Sequence, residues 1–355
     1  MAEGREQQGA MKHRGLVIGS VILLLSSACA QMAPSPTPRQ TPETMPSSIT
    51  PSALGPSCAS APSRCGYPDG TNTGVPAGVS LVKVPSQVSS GPGWEWSDVY
   101  GAVVTTAAGA VISGLDVAGG VQVMHPNVTV KNSRITACGG VDDGDAVGVR
   151  YRTDLGYFGS DATIVHNTIN GSPSGCDHRA RSGVRDVFGE APNLTVTAND
   201  ISGTGNGVTI EFSGVVSDNW IHDLGHLAGD HHSGLSTHGG AVSVVYRHNT
   251  VLLYGMPQPG GGGVSAALTI YADFGHAQNV TLQDNFVSGG AYTIFAGNSG
   301  NEYSASSPAT NIKVLGNRLV CGQWDYGPVA FYTPASGNEF SGNYCDQNLS
   351  AVTPS

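Results

Sequence analysis

Charge is scarce in this chain. Only 12% of its 355 residues are Asp, Glu, Lys or Arg, and Lys plus Arg number 16 against 26 acidic residues. No run of Lys or Arg could track a phosphate backbone, which argues against a nucleic-acid binder. Aromatic residues are also few, at 7%. In their place the chain has 50 glycines and 21 prolines. With about one residue in seven a glycine, turns must be many and helices few, which argues against a helical bundle or a coiled coil. Hydrophobic residues, at 39%, still suffice for a buried core.

The first thirty residues differ from the rest. Met11-Lys12-His13-Arg14 precedes an apolar run from Leu16 to Leu25, then the small residues Ser26-Ser27-Ala28-Cys29-Ala30. A basic start, a short greasy stretch too brief to span a bilayer, and an A-x-A ending predict a secretory signal over residues 1–30. Ala28-Cys29-Ala30 fits ordinary cleavage. The competing reading lipidates Cys29 and anchors the protein to a membrane, although Ser26 stands where a lipobox usually has Leu. Residues 31–57 are rich in Pro, Ser and Thr, lack apolar periodicity, and read as a linker. A folded domain is expected over 58–349, with a short tail at 350–355. Protein secreted to the extracellular side favours disulfides, and six cysteines remain after the leader, which alone allow 15 connectivities.

Across the folded domain a single pattern recurs. A short β-branched segment leads to an Asn, followed by a second short apolar segment, with marker Asn residues at 132, 167, 199, 219, 249, 285, 317 and 343. Unequal intervals of 20 to 36 residues predict a solenoid with insertions. Asn tolerates the left-handed backbone of a tight bend, and stacked amides can bond along a column. A third segment lies ahead of each pair, as in Gly183-Val-Arg-Asp-Val187 and Gly207-Val-Thr-Ile-Glu211. Three short strands per turn predict an all-β parallel β-helix of about nine rungs. Asn127-Val-Thr, Asn193-Leu-Thr and Asn279-Val-Thr match a glycosylation sequon, but they share one place in the repeat, so the strand pattern accounts for them.

Several blocks resemble secreted bacterial right-handed parallel β-helix proteins of the pectate-lyase-like class. These are Gly66-Tyr-Pro-Asp-Gly-Thr-Asn-Thr-Gly-Val-Pro-Ala-Gly78, Pro126-Asn-Val-Thr-Val-Lys-Asn-Ser-Arg-Ile135 and Ala266-Ala-Leu-Thr-Ile-Tyr-Ala-Asp-Phe-Gly275. The likeness covers roughly residues 66–349 and implies a right-handed solenoid with a saccharide cleft on the first-strand face. That class includes lyases, hydrolases and surface proteins, so the fold alone does not name an activity. Many relatives have a loop like H-x-D-G-I-x-x-H-G. Here it reads His231-His232-Ser233-Gly234-Leu235-Ser236-Thr237-His238-Gly239, with Ser233 in place of the Asp.

Alternation along the first strands predicts two outward columns. One runs Gln122, Arg150, Arg185, Thr209, Ser236, Thr269, Thr293, Ala330, and the other Met124, Arg152, Val187, Glu211, His238, Tyr271, Phe295, Tyr332. Guanidinium forks suit uronate carboxylates and aromatic rings suit pyranose faces. β-Elimination needs a neutralised uronate, a base for the proton alpha to the carboxylate, and an acid for the leaving oxygen. His238, Tyr271, Arg185 and Glu211 are therefore the candidate catalytic residues. Arg150, Arg152, Gln122, His232, Asp273, Phe295 and Tyr332 are candidate saccharide contacts. Hydrolysis ranks lower, because paired acids flanking the bond are not evident, with only Asp186 or Asp273 near Glu211.

Asp142-Asp143-Gly-Asp145 is an oxygen-rich candidate for Ca²⁺, an ion many lyases of the resembled class use, though it matches no full calcium-loop pattern. His222 and His226 have metal-like spacing, but no Glu follows His222. For the disulfides, the repeat places Cys138 and Cys176 just past the third strands of neighbouring rungs, and Cys321 and Cys345 likewise. Stacked rungs allow Cα separations of ~5–6 Å, so Cys58–Cys65, Cys138–Cys176 and Cys321–Cys345 are expected. Two functional classes stay open: a carbohydrate-active enzyme, with a lyase of acidic polysaccharide ahead of a hydrolase, and a non-catalytic envelope protein whose groove binds glycan or a protein partner.

Overall fold

The computed structural model describes residues 57–138, 144–174, 176, 178–225, 231–240, 243–253, 263–273, 275–297, 309–331 and 336–354. The expectations for the leader, Cys29, most of the linker, Asp142, Asp143, His226 and Tyr332 lie outside the described residues.

Among the described residues thirty strands fall into three sheets, of eleven, nine and ten strands. The chain visits them in a fixed cycle. Ser182–Asp186 belongs to the first sheet, Leu194–Thr197 to the second and Asp200–Ser202 to the third, and Asn206–Thr209 returns to the first. Each strand pairs in parallel with its counterparts one turn away: Val184 lies beside Val147 on one side and Val208 on the other. Antiparallel pairs occur at the start of the first sheet and in the two-stranded sheet of Tyr151–Arg152 with Tyr157–Phe158. This all-β arrangement is that of a parallel-stranded solenoid.

The corner between second and third sheets explains the recurring Asn. His166, Ala198, Asp218, His248, Asp284, Gly316 and Gly342 all have φ between 52° and 68°. Each precedes a buried Asn, so the left-handed residue is the one before the marker and not the marker itself. Asn167, Asn199, Asn219, Asn249, Asn285, Asn317 and Asn343 instead form a continuous ladder. Asn199, for example, donates its backbone N–H and its side-chain amide to Asn219 Oδ1, both at 2.9 Å, and also reaches the Ile164 carbonyl. Such bonds satisfy buried backbone groups that a bend strips from the sheets. The first copy is out of phase: Asn132 has φ 49°, and Ser133 takes the ladder position, donating its N–H to Asn167 Oδ1. Asn suits both jobs, which is why one letter marked two different positions.

Inside, the three sheets enclose a column of fully buried aliphatic side chains, including Val121, Val147, Val184, Val208, Leu235, Leu268, Ile294 and Val329. The register of the first sheet corrects two assignments. Val147, not Val149, lies beside Val121, so Gly148 pairs with Gln122 and Arg185, and Arg150 moves to the second outward column. Both valines face inward here, as Val121 and Val123 do. The slip also seats the Gln122 amide over Gly148, where a Cβ would stand only 2.5 Å from Gln122 Oε1. Likewise Phe295 pairs with Thr269 and Ala330, so Phe295 and not Thr293 belongs to the first outward column. Arg152 leaves the stack altogether, in the two-stranded sheet.

All three expected disulfides are present, with Cα separations of 5.9, 5.4 and 5.3 Å. They fit an oxidising compartment. Among the described residues no helix is long and apolar enough to cross a membrane. The segment 57–79 forms a strap over the third sheet that the repeat did not reveal. Cys58 N–H donates to Asp346 near the last strand, and the Tyr67 ring lies 5.2 Å from that of Phe286. Further along, a Cβ on Gly70 would meet the Trp220 indole at 2.8 Å, and one on Gly74 would meet Thr168 Oγ1 at 2.7 Å. Glycine at both positions lets the strap lie flat on the sheet.

Candidate functional site

The outer face of the first sheet carries a cleft of about 320 Å³, near the lower end of the range for small-ligand sites. Four consecutive strands build it. Ser182–Asp186 supplies Ser182 and Arg185, Asn206–Thr209 supplies Asn206 and Thr209, with Glu211 just beyond, and His231–Thr237 supplies His231, His232 and Ser233, with His238 just beyond. Tyr271 and Asp273 follow the strand Gly263–Ile270. The four candidate catalytic residues therefore share one cleft, together with His232 and Asp273.

At its centre, Glu211, His238 and Tyr271 occupy successive positions of one outward column, as the alternation predicted. Both Glu211 carboxylate oxygens engage His238. Oε2 accepts the backbone N–H and Oε1 meets the ring Nδ1, each at 2.6 Å. A carboxylate on Nδ1 favours the tautomer with its proton there and leaves Nε2 as the basic nitrogen. The Tyr271 ring stacks on that imidazole, with centroids 6.0 Å apart. Burial lifts the Asp273 carboxyl above the ordinary range; the His238 charge opposes this and the Glu211 charge adds to it.

Arginines line one wall. The Arg185 guanidinium lies 3.7 Å from the buried Asp145 carboxylate. Asp145 thus faces an arginine, and it is the one described member of the candidate calcium triplet. Arg179 and Arg181 join this wall, and sequence reasoning had not named them. A usable signal was present: residues 179, 181 and 185 have one parity, so an extended chain turns all three the same way. Arg179 lies across Gly205, where any side chain would collide with its guanidinium. The disulfide Cys138–Cys176 and a bridge between Cys138 and Arg179 tie this segment to the preceding rung. His232 is buried, with Nδ1 2.8 Å from the Gly205 carbonyl, and Ser233 Oγ lies 2.8 Å from Thr269 Oγ1.

Other candidates sit elsewhere. Arg150 is 4% exposed and lies among the rings of Tyr100, Tyr157 and Phe188, 5.5 to 5.8 Å from their centroids. Its Nε donates to Gln122 Oε1 at 2.8 Å, so these two residues are engaged with each other. Arg152 Nε contacts Asp154 at 2.9 Å, and its guanidinium lies over Phe188. His222 has both ring nitrogens on carboxylates, Asp200 at 2.9 Å and Asp223 at 2.6 Å. Burial opposes protonation of His222, but those two hydrogen bonds outweigh it and raise its pKa. Among the described residues no group of three or more His, Cys, Asp or Glu is arranged to hold a metal ion.

Asp186 is the residue near the cleft whose environment departs furthest from expectation. It stands at an inward position, pairs with Val149, and is fully buried. Its carboxylate accepts N–H bonds from Glu190 and Ala191. Burial pushes its pKa up to about 7; the Ala191 bond opposes this and the Glu211 charge adds to it. It therefore underlies the cleft without entering it.

Compared with protein-family models, curated proteins and solved structures, the chain matches none.

Proposed function

We propose that this protein is an exported right-handed parallel β-helix of about nine rungs, pectate-lyase-like, whose first-sheet cleft takes acidic polysaccharide and cleaves it by β-elimination. Export would follow the basic-apolar leader, with the mature chain released or held by a lipid on Cys29. The observation that carries the reading is the Glu211–His238 pair in a cleft that also presents Arg185 and Tyr271. A uronate seated with its carboxylate on Arg185 has its negative charge met by a guanidinium, which favours removal of the adjacent carbon-bound proton. His238 Nε2 takes that proton while Glu211 stabilises the imidazolium formed. The electrons form the C4–C5 double bond, the C4–oxygen bond breaks, and the Tyr271 hydroxyl delivers a proton to the departing oxygen. Hydrolysis fits less well, because both oxygens of Glu211 are committed to His238 and Asp186 is inside the core.

A panel of acidic polysaccharides, read by the ultraviolet absorbance of the unsaturated uronate product, tests this. Turnover is expected with at least one of them, and His238→Ala should lower it by ~10²-fold or more with little change in thermal unfolding. Binding that depends on Arg185 but gives no product would assign the cleft to a glycan-binding surface protein instead.

A further inference from the structure

We infer that the groove is divided by charge and takes a mixed saccharide: a uronate against Arg185, with uncharged pyranoses along an aromatic row leading away from it. This rests on the acidic-saccharide reading above and specifies its substrate. The row begins at the cleft, where Tyr271 stacks on His238 on one side and lies 5.0 Å from the Phe295 ring on the other. Phe295 is followed by Tyr292 at 6.3 Å, and Tyr292 by Tyr326 at 5.9 Å. These rings cover three consecutive turns of the first sheet, each ~4.8 Å from the next. Phe295 must face outward because Ile294 and Ala296 on either side of it are fully buried. Tyr326 is 74% exposed.

Charge separates the two halves. The cleft wall carries Arg179, Arg181 and Arg185. The strands Tyr292–Ala296 and Gly327–Phe331, which underlie the aromatic row, carry no charged residue. Asp273 borders the row at the cleft, and Asp325 directly precedes Tyr326. A uniformly charged chain would set its further carboxylates over rings and beside carboxylates, away from the arginine wall. An uncharged pyranose instead offers an apolar face to each ring, and the amphipathic Tyr keeps its hydroxyl in water. The Arg wall and the aromatic row together fix the direction of the chain, with its acidic residue at the His238 end.

The test is calorimetric titration in the His238→Ala background, so that no ligand is consumed. The probes are free glucuronic acid, a mixed hexasaccharide with one terminal glucuronate followed by uncharged hexoses, an all-galacturonate hexasaccharide and a neutral cello-hexasaccharide. The mixed hexasaccharide is expected to bind at least ~10-fold tighter than the single uronate and tighter than the all-acid chain. Tyr326→Ala and Tyr292→Ala should each lower its affinity by roughly 3–10-fold, matching one lost ring contact. If the all-acid chain binds tighter, or the tyrosine variants leave the mixed chain unaffected while Arg185→Ala abolishes binding, the mixed-chain inference falls and the acidic-saccharide reading stands. If no acidic probe binds, both fall. A change of oligomeric state in Tyr326→Ala without loss of saccharide affinity would reassign the row to protein contact and also overturn the inference.

Discussion

Replacing Asp186 with Asn should stabilise the protein at neutral and alkaline pH and remove a downward slope from its stability curve. Asp186 occupies a core position otherwise held by Val123 and Val149 in earlier strands. Burial raises its pKa from the ordinary 3.8 to about 7. Between those values the unfolded chain has already released the proton that the folded chain still holds. Stability therefore falls as pH rises through this window, by about 1.4 kcal/mol per unit, and the full cost of ~4 kcal/mol is reached above pH 7. Asn keeps an oxygen to accept the Glu190 and Ala191 N–H groups but never ionises. Its added N–H₂ needs an acceptor, which offsets part of the gain. Chemical denaturation of both proteins from pH 4 to 8 measures the difference directly, and titrating groups remote from Asp186 cancel in it. At the upper end of that range the variant should gain ~2–4 kcal/mol relative to wild type, equivalent to roughly 10 °C in Tm. Parallel curves, or a variant less stable at pH 8, would refute the assignment of a carboxyl group held protonated beneath the cleft.

Two further outcomes are expected. Asn219→Ala removes the acceptor for Asn199 and the donor for the Val196 carbonyl, leaving buried groups unsatisfied; this should cost about 3 kcal/mol or more, read by denaturant unfolding, whereas a loss under ~1 kcal/mol would mean the ladder is dispensable. The double variant Cys138→Ser, Cys176→Ser opens a bridge of sequence separation 38 and should cost roughly 3–4 kcal/mol; it should also weaken acidic-saccharide binding, because the freed segment carries Arg179 and Arg181.

The sequence repeat disclosed the parallel stacking because its physics is local. A β-branched pair, a bend and an Asn must recur wherever one turn lies on the next. The same locality let three disulfides be paired and placed Glu211, His238 and Tyr271 in one column. What failed was phase. Val147 and Val149 both suit an inward site, so nothing local decided which one matched Val121, and Arg150 was placed one pleat away from its position. Asn132 was misassigned for a related reason, since Asn is at home in the left-handed bend and in the ladder alike. Asp186 was hidden because a charged residue is not expected to point inward. The strap over the third sheet was illegible because its contacts with Trp220, Phe286 and Asp346 join residues far apart in the chain. Its glycines, at 70 and 74, were visible, but the indole and hydroxyl pressing on them were not.

In the proposed function the cleft receives a uronate through its arginine wall and presents it to His238. The most direct measurement is a crystal structure of the His238→Ala protein with an acidic oligosaccharide bound. A uronate carboxylate should pair with the Arg185 guanidinium, and the carbon beside it should face the space vacated by the imidazole. Saccharide bound on another face, or seated in the cleft with its carboxylate turned away from Arg185, would contradict it.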